Sequence, residues 1–364
     1  MPTDLKEAVI DALRTVEDPD LKQDIVQLQM VQSVEIQDGA VSLVLVLTTP
    51  ACPFQELLKK ACIAAIHRLV DHTLAVQVTC TSKVKPSQQL IKSLPTVKNI
   101  IAIAAGKGGV GKSTVAVNVA VSLAKQGATV GLLDADIYGP SIPIMLGCEP
   151  QKLQIEVRDN KKHMIPLVKH GVQLMSIGFL TSPEEAVIWR GPMASTALRQ
   201  LLYDTLWHQL DYLLVDLPPG TSDIHLTLSQ AIAITGALIV TTPQKVALAD
   251  VSKCVAMFQK PAIAVPILGM VENMSYFVTT DAGDGSPAYP FGNGGGERFA
   301  RAQGIPFLGT IPLAAAIMQA GDDGTPIGAK DNAYAHQFTQ LASKLAQQVS
   351  LQHFRDGEGQ AVAT

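Results

Sequence analysis

Apolar positions change their spacing several times along the chain. In residues 5–16 they recur as Leu5, Val9, Ala12, Leu13 and Val16. That spacing predicts an amphipathic helix, which Asp18-Pro19 ends because the residue before a proline avoids helical backbone. Residues 31–36 and 41–47 alternate apolar and polar side chains. Alternation is the mark of half-buried strands, and the Gln37-Asp38-Gly39 between them predicts a tight hairpin. Residues 54–70 return to helical spacing, with Phe54, Leu57, Leu58, Ala61, Ala65 and Leu69 on one side, and residues 76–78 read as a last short strand. Together these elements predict a small α+β domain over residues 1–80.

Residues 81–97 carry two prolines and no sustained period, and read as a linker. Beyond them the pattern is different. Apolar runs at 100–105, 129–133, 172–177, 212–216, 237–241, 265–271 and 305–311 are separated by helical stretches. Short apolar strands alternating with helices predict an α/β domain, a mostly parallel sheet flanked by helices. It is expected over 98–354, with 355–364 as a tail. The last helical face, Phe338, Leu341, Leu345 and Val349, has Lys344 as its lone cation and is expected to pack on the sheet.

Length and composition agree with two domains. The chain has 364 residues, against a prior of roughly 150 per domain. Lys and Arg number 28 and Asp and Glu 32, a net charge of −4. That excludes a polybasic coat, so neither nucleic acid nor a membrane surface is an expected partner. The hydrophobic share of 47% supplies a core and excludes wholesale disorder. No apolar run approaches the ~20 residues of a bilayer span. The start, Met1 to Glu7, lacks the basic and apolar stretches of a signal peptide. The expectation is a cytoplasmic protein whose five cysteines, Cys52, Cys62, Cys80, Cys148 and Cys254, are thiols.

The strand at 100–105 runs straight into Gly106-Lys107-Gly108-Gly109-Val110-Gly111-Lys112-Ser113-Thr114, followed by a helical run to about Lys125. G-x-x-x-x-G-K-[ST] between a strand and a helix is a phosphate-binding loop. Its glycines let backbone N–H groups curl around an anion at a helix N-terminus. Lys112 supplies the point charge for the β- and γ-phosphates, and the Ser113 hydroxyl a ligand for Mg²⁺. Gly106, Gly108 and Gly111 also satisfy G-x-G-x-x-G, with Asp134 ending the next strand. Lys112-Ser113 decides against that dinucleotide reading, because such a turn needs no cation and hydroxyl after its last glycine. Residues 212–216 form an apolar run ending in Asp216, the layout of an aspartate that holds Mg²⁺ through water. Lys107 stays open between a solvated lysine and one that reaches a partner's nucleotide across a two-fold interface, as an arginine finger does.

At these residues the chain resembles a known group. Lys107 to Thr114 is similar to the deviant Walker A motif of the MinD, ParA and nitrogenase iron protein group. With Asp134 to Ser141, Trp189 to Met193, Asp216 to Thr221 and Glu272-Asn273-Met274-Ser275, residues 98–350 resemble the Mrp family, the iron–sulfur cluster carrier ATPases. The first domain resembles the small cluster-assembly domain that often precedes them, with Thr49-Pro50-Ala51-Cys52-Pro53 as its cysteine motif. The resemblance implies a P-loop NTPase that sandwiches two ATP–Mg²⁺ as a homodimer and hydrolyses ATP slowly. It further implies transfer of iron–sulfur clusters to client apoproteins, with assembly factors as partners. In that reading Gly106 to Thr114 hold the nucleotide, and Lys107 signals across the dimer. Asp136 orients or deprotonates the attacking water, and Asp216 lies behind Mg²⁺. Asn273 contacts adenine, and Pro312-Leu313 flank the base. From the residues alone, Asp136 also reads as a cap on the following loop and Asn273 as a turn residue.

Two other functions share the loop. A MinD- or ParA-like positioning ATPase needs a membrane-seeking tail or a basic DNA surface. An ATP-binding scaffold in cluster assembly would carry no cluster of its own. The family's usual Cys-x-x-Cys after Asn-Met-Ser is missing, since residues 276–292 contain no cysteine. Thiolates are the usual iron–sulfur ligands, so the cluster expected from the family is not expected from the residues at that interface. Cys148 and Cys254 read as small buried hydrophobes, and Cys62 and Cys80 as structural. Cys52 is the candidate functional thiol, in a Pro-flanked loop at the start of a helix whose dipole lowers a thiol pKa. His163, His170, His225 and His336 lack metal-ligand spacing. Trp189-Arg190-Gly191-Pro192 carries family resemblance and no role that these residues dictate.

Overall fold

The computed structural model describes residues 2–37, 39–88, 90–137, 139–148, 153–158, 160–180, 191–221, 232–278 and 286–362. The chain divides into two compact units, Met1–Lys85 with Ala346–Thr364, and Pro86–Leu345.

In the smaller unit β1 (Val31–Gln37) pairs antiparallel with β2 (Ala40–Leu47), which pairs parallel with β3 (Ala75–Ser82). Gly39 makes the hairpin turn with φ +78°. The alternation of β2 buries Val41, Leu43, Leu45 and Leu47, and the helices Pro2–Leu13 and Gln55–Leu69 close over that face with Val9, Leu13, Leu58 and Ile66. Two expectations need correcting. Leu57 and Leu69 are exposed, because the face turned to the core runs Leu58, Cys62, Ala65 and Ile66. Strand β3 is far longer than residues 76–78, since its alternating Gln, Thr and Ser positions conceal a strand that buries little. From Ala346 onward, the helix Ala333–Val362 belongs to this unit; Val349 is buried there and Gln347 Nε2 donates to Asp20 Oδ1.

The larger unit contains β4 (Ile100–Ala104), β5 (Val130–Asp134), the ribbon of β6 (Ile155–Arg158) and β7 (Lys161–Met164), β8 (Leu167–Lys169), β9 (Val172–Ser176), β10 (Tyr212–Asp216), β11 (Gly236–Thr241), β12 (Ile267–Glu272), the ribbon of β13 (Phe277–Val278) and β14 (Pro287–Ala288), and β15 (Phe307–Thr310). Eight of these form one sheet in the order β15-β12-β11-β4-β10-β5-β9-β8. Every neighbouring pair is parallel except β8–β9. All seven apolar runs are strands of this sheet; β8 escaped notice because an edge strand of Leu-Val-Lys needs no apolar run. The stretch 81–97 holds the end of β3 and a helical turn, Leu90–Ser93, while residues 355–362 continue the last helix.

Strands β4, β10 and β5 lie side by side and wholly buried. Asp216 is in register with Asp134 and with Ile103, and Asp134 with Ser176. The loop after β4 leads into the helix Lys112–Lys125, which is apolar almost all round and buried along most of its length, as a central helix of a large core should be. Phe338, Leu341 and Leu345 are buried as their spacing predicted, and Lys344 Nζ donates to the Leu308 carbonyl on β15. The chemistry-bearing residues therefore gather where open parallel sheets bind ligands, outside the C-terminal ends of central strands.

Candidate functional site

The loop after β4 turns on two left-handed glycines, Gly109 and Gly111, each at φ +81°. An L side chain adopts that conformation only at a cost. Gly111 must also be bare for want of space, because a Cβ there would lie 2.2 Å from Asn273 Nδ2. At the other end Gly106 presses on the backbone of Asp250 and Val251, which its Cβ would meet at 2.4 Å.

The loop delivers Lys112 into the ends of the central strands. Its side chain is 7% exposed, with Nζ 2.8 Å from Asp216 Oδ1 and 3.7 Å from Asp136 Oδ2. Ser113 Oγ donates to Asp216 Oδ2 at 2.6 Å. Asp216 is fully buried; burial pushes its carboxyl above the ordinary range, while Lys112 and Ser113 pull it back. Asp134, equally buried, is pushed up to about 8, chiefly by burial and next by the Asp216 charge beside it. Asp136 and Asp216 thus share one buried ammonium, beside an Asp134 that burial favours in its neutral form. This surplus of negative charge, with a serine hydroxyl among carboxylate oxygens, fits a hard divalent cation that keeps its waters, as Mg²⁺ does. Lys107 is exposed at the mouth of the loop.

Asn273 follows β12. Its backbone N–H donates to the Thr241 carbonyl at 2.7 Å and its Nδ2 to the Val110 carbonyl at 2.9 Å, so its amide holds the glycine loop rather than its own turn. Met274 beside it has φ +51°, a left-handed backbone that persists in a methionine only when its surroundings impose it. Glu272 does so in part: fully buried, it accepts from Ser275 Oγ and, at 2.6 Å, from the Gly296 N–H. Asn273, Met274, Pro312, Leu313, Thr114 and Met318 line a cavity of about 250 Å³. The structure gathers Lys112, Ser113, Asp136 and Asp216 at the foot of the loop, lays Asn273 against the loop, and puts Thr114, Pro312 and Leu313 with Asn273 on the cavity wall, while Lys107 stays exposed. No local pattern marks the methionine walls, and the end of an apolar strand marks Asp134 without disclosing what it anchors.

Cys52 departs from expectation. Its thiol is pushed up to about 11 rather than down, first by burial, with the Asp18 and Asp20 charges adding to it against a helpful Phe54 N–H. Desolvation outweighs the helix terminus here. At pH 8, Cys52 should therefore alkylate on the order of a hundredfold more slowly than free cysteine. Its rate should climb about tenfold per pH unit until the thiol ionises, as peptide mapping after iodoacetamide treatment would record. A rate equal to that of free cysteine would show the thiol to be far less buried. Cys62 and Cys254 are buried and pushed up to about 12, Cys148 is buried, and all five cysteines are free. Among the described residues, no group of three or more His, Cys, Asp or Glu side chains is placed to hold a metal ion. Trp189, Arg190, His225 and residues 279–285 lie outside the described residues.

Residues 96–349 match the profile of a family described as NUBPL iron-transfer P-loop NTPase, and residues 6–79 that of an iron–sulfur cluster assembly protein. An iron–sulfur cluster carrier protein of Synechocystis sp. is 46% identical over 348 residues, spanning 95% of this chain and 98% of its own. Another, from Escherichia coli K12, is 42% identical over 355 residues, spanning 96% and 93%. A nucleotide-binding protein of Archaeoglobus fulgidus, solved in complex with ADP, is 37% identical, with a TM-score of 0.57 over 67% of this chain and 93% of that one. No described helix is long and apolar enough to cross a membrane.

Proposed function

The chain belongs to the family of iron-transfer P-loop NTPases, and from that premise we propose that it binds and hydrolyses ATP as a homodimer and carries iron–sulfur clusters to client apoproteins. The observation that carries the ATPase half is the buried triad of Lys112, Ser113 and Asp216 at the foot of the glycine loop.

In this reading the backbone N–H groups from Gly106 to Ser113 cradle the phosphates, and Lys112 leaves Asp216 to meet the β- and γ-phosphates. Ser113 would ligate Mg²⁺ directly, with Asp216 and Asp136 holding it through water. The cation would neutralise charge on the phosphate oxygens as the bond to the leaving group breaks. Asp136, 3.7 Å from the Lys112 ammonium, would orient the attacking water once that ammonium holds the γ-phosphate. Phosphoryl transfer asks mainly for such positioning and charge placement. The apolar cavity beside Asn273, Pro312 and Leu313 suits a flat purine base, and Lys107 remains outside to meet a second chain.

The cluster is cargo in this scheme. Residues 276–292 contain no cysteine, and thiolates are the usual cluster ligands; this supports a second reading, a nucleotide-driven scaffold in cluster assembly. Anaerobic reconstitution with iron and sulfide separates the two. A carrier should gain visible absorbance and bound iron, pass the cluster to an apoferredoxin, and release phosphate at a rate per chain that rises with protein concentration. Phosphate release with no bound iron would leave the scaffold, and no phosphate release at any concentration would end the ATPase reading.

A further inference from the structure

Asp136 lies in the segment that leads from β5 to Ile142, and that segment is pinned at Asp136 and again at Ile142. Asp134 Oδ1 accepts from the Asp136 N–H at 3.3 Å and Oδ2 from the Ile142 N–H at 3.3 Å, so one carboxylate ties both ends. Nothing in the proposed chemistry needs Asp134 to touch the nucleotide. Its orientation is set from the neighbouring strand. Ser176, fully buried and in register with Asp134, donates from Oγ to Asp134 Oδ2 at 3.0 Å and accepts from the Gly178 N–H at 3.0 Å. The same turn braces the loop a second time, since a Cβ added to Gly178 would stand 3.2 Å from Pro140 Cβ and Cγ.

We infer that Ser176 is a positioning residue for ATP hydrolysis, and that the turn Ser176-Ile177-Gly178 is a buttress fixing the loop that carries Asp136. The reason is geometric. A carboxylate gripping two backbone N–H groups of a loop is a stiff anchor only if it cannot rotate about its own axis. The Ser176 hydroxyl removes that freedom, and its second hydrogen bond to Gly178 ties the anchor to the turn against Pro140. The inference rests on the ATPase reading above and adds residues that lie outside every motif of the phosphate site.

Ser176→Ala should lower kcat about tenfold, the effect of one buried hydrogen bond, with the KM for ATP within about twofold. Ser176→Thr keeps the hydroxyl and should recover most of the loss. Gly178→Ala keeps both the hydroxyl and the carboxyl group, yet should lower kcat by wedging against Pro140 and the Ser176 hydroxyl, each 3.2 Å from the added Cβ, and it carries the test if Ser176→Ala fails to fold. Hydrogen exchange at the Asp136 and Ile142 amides should quicken in Ser176→Ala and in Gly178→Ala. Unchanged kcat in both variants of an active parent would overturn the inference, as would a threonine variant no better than alanine. If the parent releases no phosphate, the ATPase reading falls by itself; unchanged exchange at both amides then overturns the buttress as well.

Discussion

Lys112→Ala should abolish measurable nucleotide binding while leaving the fold in place. The ammonium is the buried positive charge at the foot of the loop, 2.8 Å from Asp216. Without it an incoming triphosphate meets Asp136 and Asp216 unopposed. Losing one member of a buried charge pair costs about 2–5 kcal/mol or more. Repulsion from these two carboxylates adds to that, so an affinity loss of at least about a hundredfold is expected. The variant also strands Asp216 without its partner, which lowers stability by a separate route. The double variant Lys112→Ala, Asp216→Asn resolves the two effects. It should regain stability, because an amide needs no counter-charge, and still bind no ATP. Titration with a fluorescent ATP analogue beside a thermal melt reads both quantities. Undiminished ATP affinity in Lys112→Ala would remove the site assignment altogether.

The sequence discloses this site unevenly, and the reasons are physical. Lys112 and Ser113 are legible because their roles depend on local spacing, a glycine loop between a strand and a helix. Asp216 is legible because a buried strand of five apolar-flanked residues ends on it. What Asp216 touches was not legible, since the order β4-β10-β5-β9 inserts a late strand between two early ones. Only that order puts Ser176, Asp134 and Asp216 on one level. Met274 shows a second limit. Methionine has no bias toward left-handed backbone, so its φ of +51° is imposed by the folded surroundings rather than by its own preference. Cys52 shows a third. Its place before a helix argues for a lowered pKa, but burial is a property of the folded unit and it prevails. In the fold, central strands declared themselves as apolar runs. The edge strand β8 and the long, weakly buried β3 did not, because strands with one neighbour or one wet face need few apolar side chains.

Lys107→Ala should keep ATP and lose its hydrolysis. Lys112 is buried and paired, whereas Lys107, five positions earlier, is exposed. Two lysines on one tight loop cannot both turn inward to the same phosphates, so the outer one is free to act on the nucleotide of a second chain. A cation supplied in trans to the transition state accelerates phosphoryl transfer by a factor on the order of 10³ or more. Turnover should therefore fall by about that factor, with affinity for ATP within a few fold. A solvated lysine would change neither quantity. Mixing experiments decide whether the action is in trans. In a heterodimer of Lys107→Ala with Asp136→Asn, the site on the first chain keeps its own Asp136 and receives Lys107 from the partner. An equal mixture with free exchange in a two-fold dimer should then recover about a quarter of parental turnover. If Lys107 served its own nucleotide, both sites of that heterodimer would be dead and the mixture would stay at background. Recovery would thus establish the dimer, the trans-acting lysine and the catalytic place of Asp136 together, and its absence in chains shown to exchange would dismiss the trans-acting lysine.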